Sequence, residues 1–168
     1  MKTLMKIAGT AALLGLVSAC ATSNGPDIAE TVVDTTSENA GPSGPIPGSQ
    51  ADLENSAGHR VFFGLDQYTL TPQAQATLSR QAAWLQEYPE TRIKVSGNCD
   101  ERGTREYNLA LGARRAEAAR AYLVSLGVDG SRIQTVSYGK ERPISTGSND
   151  QAWSQNRNST TTIESVGA

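Results

Sequence analysis

The sequence contains few of the residues on which most enzymes, metalloproteins and nucleic-acid-binding domains depend. Its 168 residues include two cysteines and one histidine. No residue spacing fits a metal site, and a cysteine nucleophile would lack a base, because His59 lies at the predicted edge of the domain. Residues 60–168 hold thirteen Lys or Arg against eleven Asp or Glu, which argues against nucleic-acid binding. We therefore expect neither an enzyme nor a bound cofactor.

The N-terminal apolar run is too short to span a bilayer, and it predicts a secretory signal instead. Two lysines precede an apolar stretch at residues 7–17, whereas a spanning helix needs about 20 apolar residues. The run Val-Ser-Ala-Cys at 17–20 resembles a bacterial lipobox. That resemblance implies a signal peptide at 1–19 and a lipid on the Cys20 sulfur. The alternative is an ordinary signal peptide with an incidental cysteine.

Residues 20–58 predict a disordered tether behind the lipidated cysteine. The segment is rich in Ser, Thr, Asn, Gly and Pro, a composition that cannot bury enough apolar surface to fold. Its charges are all acidic, since it contains no Lys or Arg. Two or more acyl chains give stable membrane anchoring, so the tether would hold a domain close to a membrane. A merely disordered N-terminus would have the same composition.

Residues 59–168 predict a two-layer α/β sandwich with two long helices on one face of a mixed sheet. The elements follow the order strand-helix-strand-helix-strand-(helix)-strand. Alternating or β-branched runs predict strands at 60–64, 92–96, 132–139 and 159–163. Thr71 and Thr104 are expected to cap the two long helices, and a short helix is expected at 149–155.

Apolar spacing also predicts which helix residues face the core. In the second long helix, the expected apolar positions are Leu111, Ala118, Tyr122 and Leu126, and Ala119 and Leu123 widen this stripe. In the short helix, Trp153 is expected to pack inward.

A polar site is predicted where the second strand ends, within residues 97–115. Asp100 supplies a fixed anion, and the helix N-terminus that follows favours negative groups. Arg115 lies about three turns into that helix and can reach back with a planar cation. The pair suits a small zwitterion, with its ammonium on Asp100 and its carboxylate on Arg115. The same residues are also compatible with an internal ion-pair network that stiffens the loop.

This stretch resembles the signature of the peptidoglycan-associated lipoprotein family, Pal, within the OmpA-like peptidoglycan-binding domains. The matching motifs are Asp-Glu-Arg-Gly-Thr at 100–104, Glu-Tyr-Asn-Leu at 106–109, Leu-Gly at 111–112 and Arg-Arg-Ala at 114–116. Tyr138, Gly139 and Pro143 match a second family motif. The resemblance covers roughly residues 60–164.

The resemblance implies noncovalent binding of peptidoglycan through the meso-diaminopimelate of its stem peptides. It assigns Asp100 to the ammonium and Arg115 to the carboxylate of that residue. The further pocket residues that it implies are Asp66, Asn108, Leu111 and Arg157.

The resemblance also implies TolB and other Tol proteins as partners, during constriction of the envelope in cell division. By analogy with sorting in enteric bacteria, Ala21 after the lipidated cysteine favours the outer membrane, with the domain facing the periplasm.

The sequence departs from the family pattern at three places. Leu65 replaces a phenylalanine, Asn98-Cys99 replaces His and a small residue, and Asn158 replaces a second arginine. We expect the change at 98–99 to affect the rim of the pocket but not its two charged contacts. Two other functions stay open, namely a structural envelope lipoprotein without a ligand and a lipid-anchored enzyme.

Overall fold

The structure, a computed structural model, describes residues 44–166. The predicted signal peptide, Cys20 and the first part of the predicted tether lie outside the described residues. The described elements are α1 (Gln50–Ser56), β1 (Arg60–Phe62), α2 (Pro72–Glu87), β2 (Arg92–Asn98), α3 (Arg105–Ser125), a 3₁₀ turn (Gly130–Arg132), β3 (Ile133–Gly139), α4 (Asp150–Asn156) and β4 (Asn158–Ser165). Between residues 44 and 166, no helix combines the length and apolarity that crossing a membrane requires.

The four strands form one mixed sheet in the order β1-β4-β2-β3. β4 runs antiparallel to β1 and β2, whereas β2 and β3 run parallel. Both long helices cover the same face of the sheet. Gln81 of α2 accepts a hydrogen bond from Thr161 of β4. Val95 of β2 is paired with Thr161 and therefore lies on the same face, and it belongs to the same core cluster as residues of α3. The predicted two-layer α/β sandwich is confirmed.

Local sequence signals explain where the long helices begin. The hydroxyl oxygens of Thr71 and Thr104 each accept a hydrogen bond at 3.2 Å from the backbone NH three residues later. Each contact satisfies one of the free NH groups at a helix start, so both predicted caps are confirmed. The core between helices and sheet is mainly aliphatic, and it includes Leu78, Leu85, Ile93, Val95, Ala116 and Leu123.

α3 approaches the end of β2 unusually closely through two facing glycines. A Cβ atom on Gly97 would lie 1.8 Å from the carbonyl oxygen of Gly112, so only glycine permits this distance. The close approach places the first half of α3 beside the loop that leaves β2. The residues of that loop and of α3 therefore share one end of the sheet.

The predicted tether extends too far, because residues 50–56 form α1. Leu53 and Ala57 are buried in the core, with 0% and 2% of their surface exposed. The side-chain amide of Gln50 accepts a hydrogen bond from the backbone NH of Ile163 at 2.8 Å and donates to the carbonyl of Thr161 at 3.3 Å. These two residues of β4 lie beyond the part of the strand that pairs with β1. A segment with only two buried apolar side chains is ordered because α2 and β4 supply the rest of its environment.

The buried face of α3 differs from the apolar pattern. Its buried residues are Asn108, Leu111, Gly112, Arg115, Ala116, Ala119 and Leu123. Leu111, Ala119 and Leu123 are buried as expected. Ala118, Tyr122 and Leu126 are only partly buried, so half of the six expected positions lie at the margin of the core. The reason is that polar residues take part of the inward face near the sheet end.

Trp153 in α4 does not enter the hydrophobic core, contrary to the prediction. Its ring is only partly buried, and the guanidinium of Arg102 lies over it at 4.1 Å from the ring centroid. The indole NH donates to Glu101 at 3.0 Å. The tryptophan therefore packs against the charged loop after β2.

Candidate functional site

A pocket of about 270 Å³ lies where β2 ends and α3 begins. Its walls come from the β1–α2 loop, the β2–α3 loop, α3 and the residue before β4. The lining residues are Leu65, Asp66, Cys99, Asp100, Arg102, Gly103, Tyr107, Asn108, Leu111, Arg115 and Arg157. The structure thus brings together all six residues predicted for the ligand site, which are Asp66, Asp100, Asn108, Leu111, Arg115 and Arg157.

Asp100 is a buried carboxylate that already accepts four hydrogen bonds. Oδ1 accepts from the backbone N and the Nε of Arg102, both at 3.2 Å. Oδ2 accepts from Nη2 of Arg102 at 2.6 Å and from Nη1 of Arg157 at 3.3 Å. Burial acts to raise the pKa of Asp100, but these hydrogen bonds outweigh it and hold that pKa below its usual value. The internal ion-pair network left open by the sequence is therefore present at this residue.

Arg115 has no exposed surface, and its guanidinium is held by carbonyl groups. Nε donates to the carbonyl of Gln67 at 2.8 Å, Nη1 to that of Asn98 at 2.7 Å and Nη2 to that of Gly64 at 3.0 Å. Nη1 also lies 3.4 Å from Sγ of Cys99. These contacts use four of the five NH hydrogens of an arginine, and no carboxylate between residues 44 and 166 forms an ion pair with it.

The charge of Arg115 therefore remains uncompensated by any direct ion pair within the described residues. Burial lowers the pKa of its guanidinium, although arginine keeps its proton in proteins. No hydrogen bond joins this cation to Asp100 in that part of the chain. The two groups share a pocket without neutralising each other directly.

The expectation that the change at 98–99 affects the rim but not the two charged contacts is wrong for Cys99. Asn98 accepts from Arg115 through its carbonyl, and the thiol of Cys99 touches the same guanidinium. Burial raises the pKa of the Cys99 thiol. The side chain of Asn98 also donates to Asn158 at 2.8 Å. Two departures from the family pattern are therefore in direct contact and form a neutral amide pair.

The backbone of the loop after β2 is fixed from two sides. Nδ2 of Asn108 donates to the carbonyls of Arg102 at 2.7 Å and Thr104 at 3.1 Å. Nζ of Lys140 donates to the carbonyls of Glu101 and Gly103, at 3.1 and 2.7 Å. Asn108 therefore shapes the pocket through the loop that it holds.

The mouth of the pocket combines apolar and acidic groups. Leu65 is 53% exposed and Tyr107 is 47% exposed, whereas Leu111 is buried in the wall. Asp66 adopts a left-handed backbone conformation with φ 55°, which is uncommon outside glycine. Its carboxylate accepts a hydrogen bond at 3.3 Å from the Tyr107 hydroxyl. Arg157, another lining residue, donates through Nε to the carbonyl of Phe63 at 3.1 Å.

Sequence reasoning missed Arg102 and Tyr107 as pocket residues. Arg102 follows Asp100 by two positions in a turn that Gly103 closes with φ 88°, and this spacing permits the observed side-chain contact. Tyr107 lies in the first turn of α3 beside the loop. Among residues 44–166, no group of three or more His, Cys, Asp or Glu side chains could hold a metal ion.

Comparison with known proteins identifies the family. Residues 62–157 match the OmpA family model. The chain is 53% identical over 122 residues to the peptidoglycan-associated lipoprotein of Rhizobium meliloti (strain 1021), across 73% of this chain and 69% of that protein. The crystal structure of the peptidoglycan-associated lipoprotein from Burkholderia pseudomallei matches with a TM-score of 0.63 and 42% identity, across 66% of this chain and 96% of that one. The chain therefore belongs to the OmpA family, and these relatives within it are peptidoglycan-associated lipoproteins.

Proposed function

We propose that the domain binds peptidoglycan noncovalently through meso-diaminopimelate in the stem peptides. The observation that carries the proposal is the pairing, in one pocket, of a buried carboxylate with a buried guanidinium that has no acidic partner in the described chain. The side chain of diaminopimelate ends in an ammonium and a carboxylate on one carbon. Asp100 would receive the ammonium, and Arg115 would receive the carboxylate.

The charge of the pocket supports a ligand that carries a carboxylate. Its charged lining residues are the arginines 102, 115 and 157 and the aspartates 66 and 100. The cations thus exceed the anions by one, and burial strengthens their field at the ligand. The apolar rim at Leu65 and Tyr107 would contact the methylene chain that precedes the zwitterionic end.

The other predicted site residues would support this binding in different ways. Asn108 would act by holding the loop of Asp100, and Leu111 would form the apolar wall. Arg157 would orient Asp100 at 3.3 Å, and Asp66 would stand at the entrance beside the hydroxyl of Tyr107.

The proposal extends to a lipid-anchored role at the outer membrane. A lipid on Cys20 would hold that membrane, and the domain would face the periplasm and bind the wall without catalysing a reaction. Individually weak contacts would suffice, because many tethered copies act multivalently. TolB and other Tol proteins would be the partners that draw the outer membrane inward during cell division. The names of the relatives support the association with peptidoglycan.

Calorimetric titration of the full chain in detergent tests the ligand. One muropeptide carries diaminopimelate, and the matched muropeptide carries lysine, which lacks the terminal carboxylate. We expect the wild type to bind the first at least about tenfold more tightly, because each bond to a charged group contributes about 1.5–3 kcal/mol. Equal affinity for both would contradict the proposed carboxylate contact.

Two variants separate a ligand site from a stiffened loop. Asp100→Asn should lose most binding to the diaminopimelate muropeptide. Glu106→Gln is the matched control, because Glu106 is an exposed acid in the first turn of α3. The internal network at Asp100 favours a second candidate, a structural envelope lipoprotein without a ligand. Intact binding of Asp100→Asn to the muropeptide would contradict the role of Asp100, and failure of the wild type to bind the muropeptide or isolated cell walls would support that candidate.

A further inference from the structure

We propose that the side chain of Arg102 occupies the ammonium subsite of the pocket and that the ligand's ammonium displaces it. Arg102 would thereby set the cost that a ligand's ammonium must meet, and the contact of a carboxylate with Arg115 would meet it. The inference rests on the proposed function and adds a specificity determinant to that site.

The first step is that Asp100 has no acceptor capacity to spare. A carboxylate offers about four acceptor sites, and Asp100 already accepts four hydrogen bonds, three of them from Arg102. An incoming ammonium must therefore replace at least one present donor. The inference therefore depends on whether the side chain of Arg102 or that of Arg157 can leave Asp100.

The side chain of Arg102 is the donor that water can reach more readily once it leaves, although it makes two bonds to Asp100 and Arg157 makes one. It is 36% exposed, whereas the side chain of Arg157 is 16% exposed. Within residues 44–166, the guanidinium of Arg102 makes hydrogen bonds to Asp100 alone, while Arg157 also donates to the carbonyl of Phe63. The displaced guanidinium would meet water and could keep its contact with the ring of Trp153, now at 4.1 Å.

The main chain would not have to move during this exchange. The carbonyl of Arg102 is held by Asn108 at 2.7 Å, and the neighbouring carbonyls of the loop are held by Lys140. The pocket can therefore change from a self-paired to a ligand-paired state by a rotation of one side chain. Exposed side chains make such rotations within picoseconds to nanoseconds.

The consequence is selection for a ligand with two charges. An amine without a carboxylate would have to displace Arg102 and would gain nothing at Arg115. A zwitterion would lose the same internal ion pair, but its carboxylate would gain the uncompensated charge of Arg115. Arg102 therefore imposes the same cost on both ligands, and only the zwitterion offsets that cost with its carboxylate at Arg115.

Calorimetry of the full chain in detergent tests this exchange with Arg102→Met, which keeps an unbranched side chain and removes the charge. The ligands are the diaminopimelate muropeptide and the same muropeptide acetylated on the side-chain amine. We expect Arg102→Met to bind the first about twofold to fivefold more tightly, the factor that a partly exposed ion pair contributes. We expect no gain for the acetylated ligand.

Two further variants serve as controls. Arg102→Lys keeps a cation at Asp100 and should behave like the wild type. Arg105→Met removes a neighbouring arginine that is 67% exposed and pairs with Glu141 at 3.5 Å, and it should change neither affinity. Melting temperatures of all variants establish that each chain is folded at the titration temperature.

The outcomes are distinct. Weaker binding of the diaminopimelate ligand by Arg102→Met would overturn the inference, because Arg102 would then orient Asp100 rather than compete for it. An equal gain for both ligands would also overturn it. Failure of the wild type to bind either ligand would refute the proposed function, and the inference with it.

Discussion

Replacement of Arg115 by methionine should destabilise the domain as well as remove the partner proposed for the ligand's carboxylate. The guanidinium donates to the carbonyls of Gly64, Gln67 and Asn98 at 2.7–3.0 Å. These bonds join the β1–α2 loop to the end of β2. Methionine fills much of the same space, but it leaves the three carbonyl oxygens without these donors.

The size of the effect follows from those three contacts. A hydrogen bond to a charged group contributes about 1.5–3 kcal/mol. Two of the three bonds are only partly buried, so water can replace part of what is lost. Burying the apolar side chain of methionine returns a further part. We therefore expect a loss of about 3–5 kcal/mol from a domain stability of roughly 5–15 kcal/mol.

Urea unfolding of the full chain, followed by tryptophan fluorescence, measures this loss. Arg114→Met is the matched control, because Arg114 is exposed and its guanidinium lies 5.8 Å from the ring centroid of Tyr68. The control should change stability by less than about 0.5 kcal/mol. A loss below about 1 kcal/mol in Arg115→Met would refute the assignment of a structural role to these bonds. Ligand binding by this variant is informative only under conditions in which it stays folded.

Three further predictions concern packing, pH and thiol chemistry. Gly97→Ala should abolish or severely weaken folding, since its Cβ would lie 1.8 Å from a carbonyl oxygen of α3. Gly44→Ala is the control, because a Cβ atom there would have nothing within 4 Å. Matching melting curves for the two variants would contradict this prediction. The pKa of Asp100 is lowered in the folded chain. Its ionised carboxylate therefore contributes to the free energy of unfolding above the unfolded pKa of about 4, and this contribution is lost as the pH falls through the pKa of the folded state. Asp100→Asn should therefore weaken the pH dependence of the free energy of urea unfolding below about pH 4. The same pH dependence in the variant and the wild type would contradict this role of Asp100. Cys99 is buried, and the pKa of its thiol is raised. In a Cys20→Ser chain, Cys99 should therefore react with a thiol reagent slowly when the chain is native and quickly when it is unfolded in urea. Equal rates under the two conditions would contradict its burial.

Several parts of this architecture follow from local sequence alone. The caps at Thr71 and Thr104 need only a hydroxyl oxygen and a backbone NH three residues away, so a short sequence pattern predicts them. The alternation in β2 likewise predicts Ile93 and Val95 as core residues. Asp100 and Arg115 reach one pocket because a strand, a turn and a helix follow each other directly.

Other features depended on neighbours that are distant in the chain. α1 has little apolar surface of its own, and it is ordered because Leu53 enters a core built by other elements. The inward face of α3 carries Asn108, Gly112 and Arg115, which apolar periodicity does not reveal. A polar residue can lie inward only where another segment supplies its hydrogen-bond partners.

The sequence by itself determined the order of strands and helices from β1 onward, the family, and the acid and the cation that line the pocket. The tertiary structure alone decided how each charge is held. Arg157 reaches Asp100 across 57 residues of sequence, and Arg115 reaches the carbonyls of the β1–α2 loop across 48 and 51. A charge leaves water only when partners replace its hydration, and here those partners converge only after the sheet has assembled.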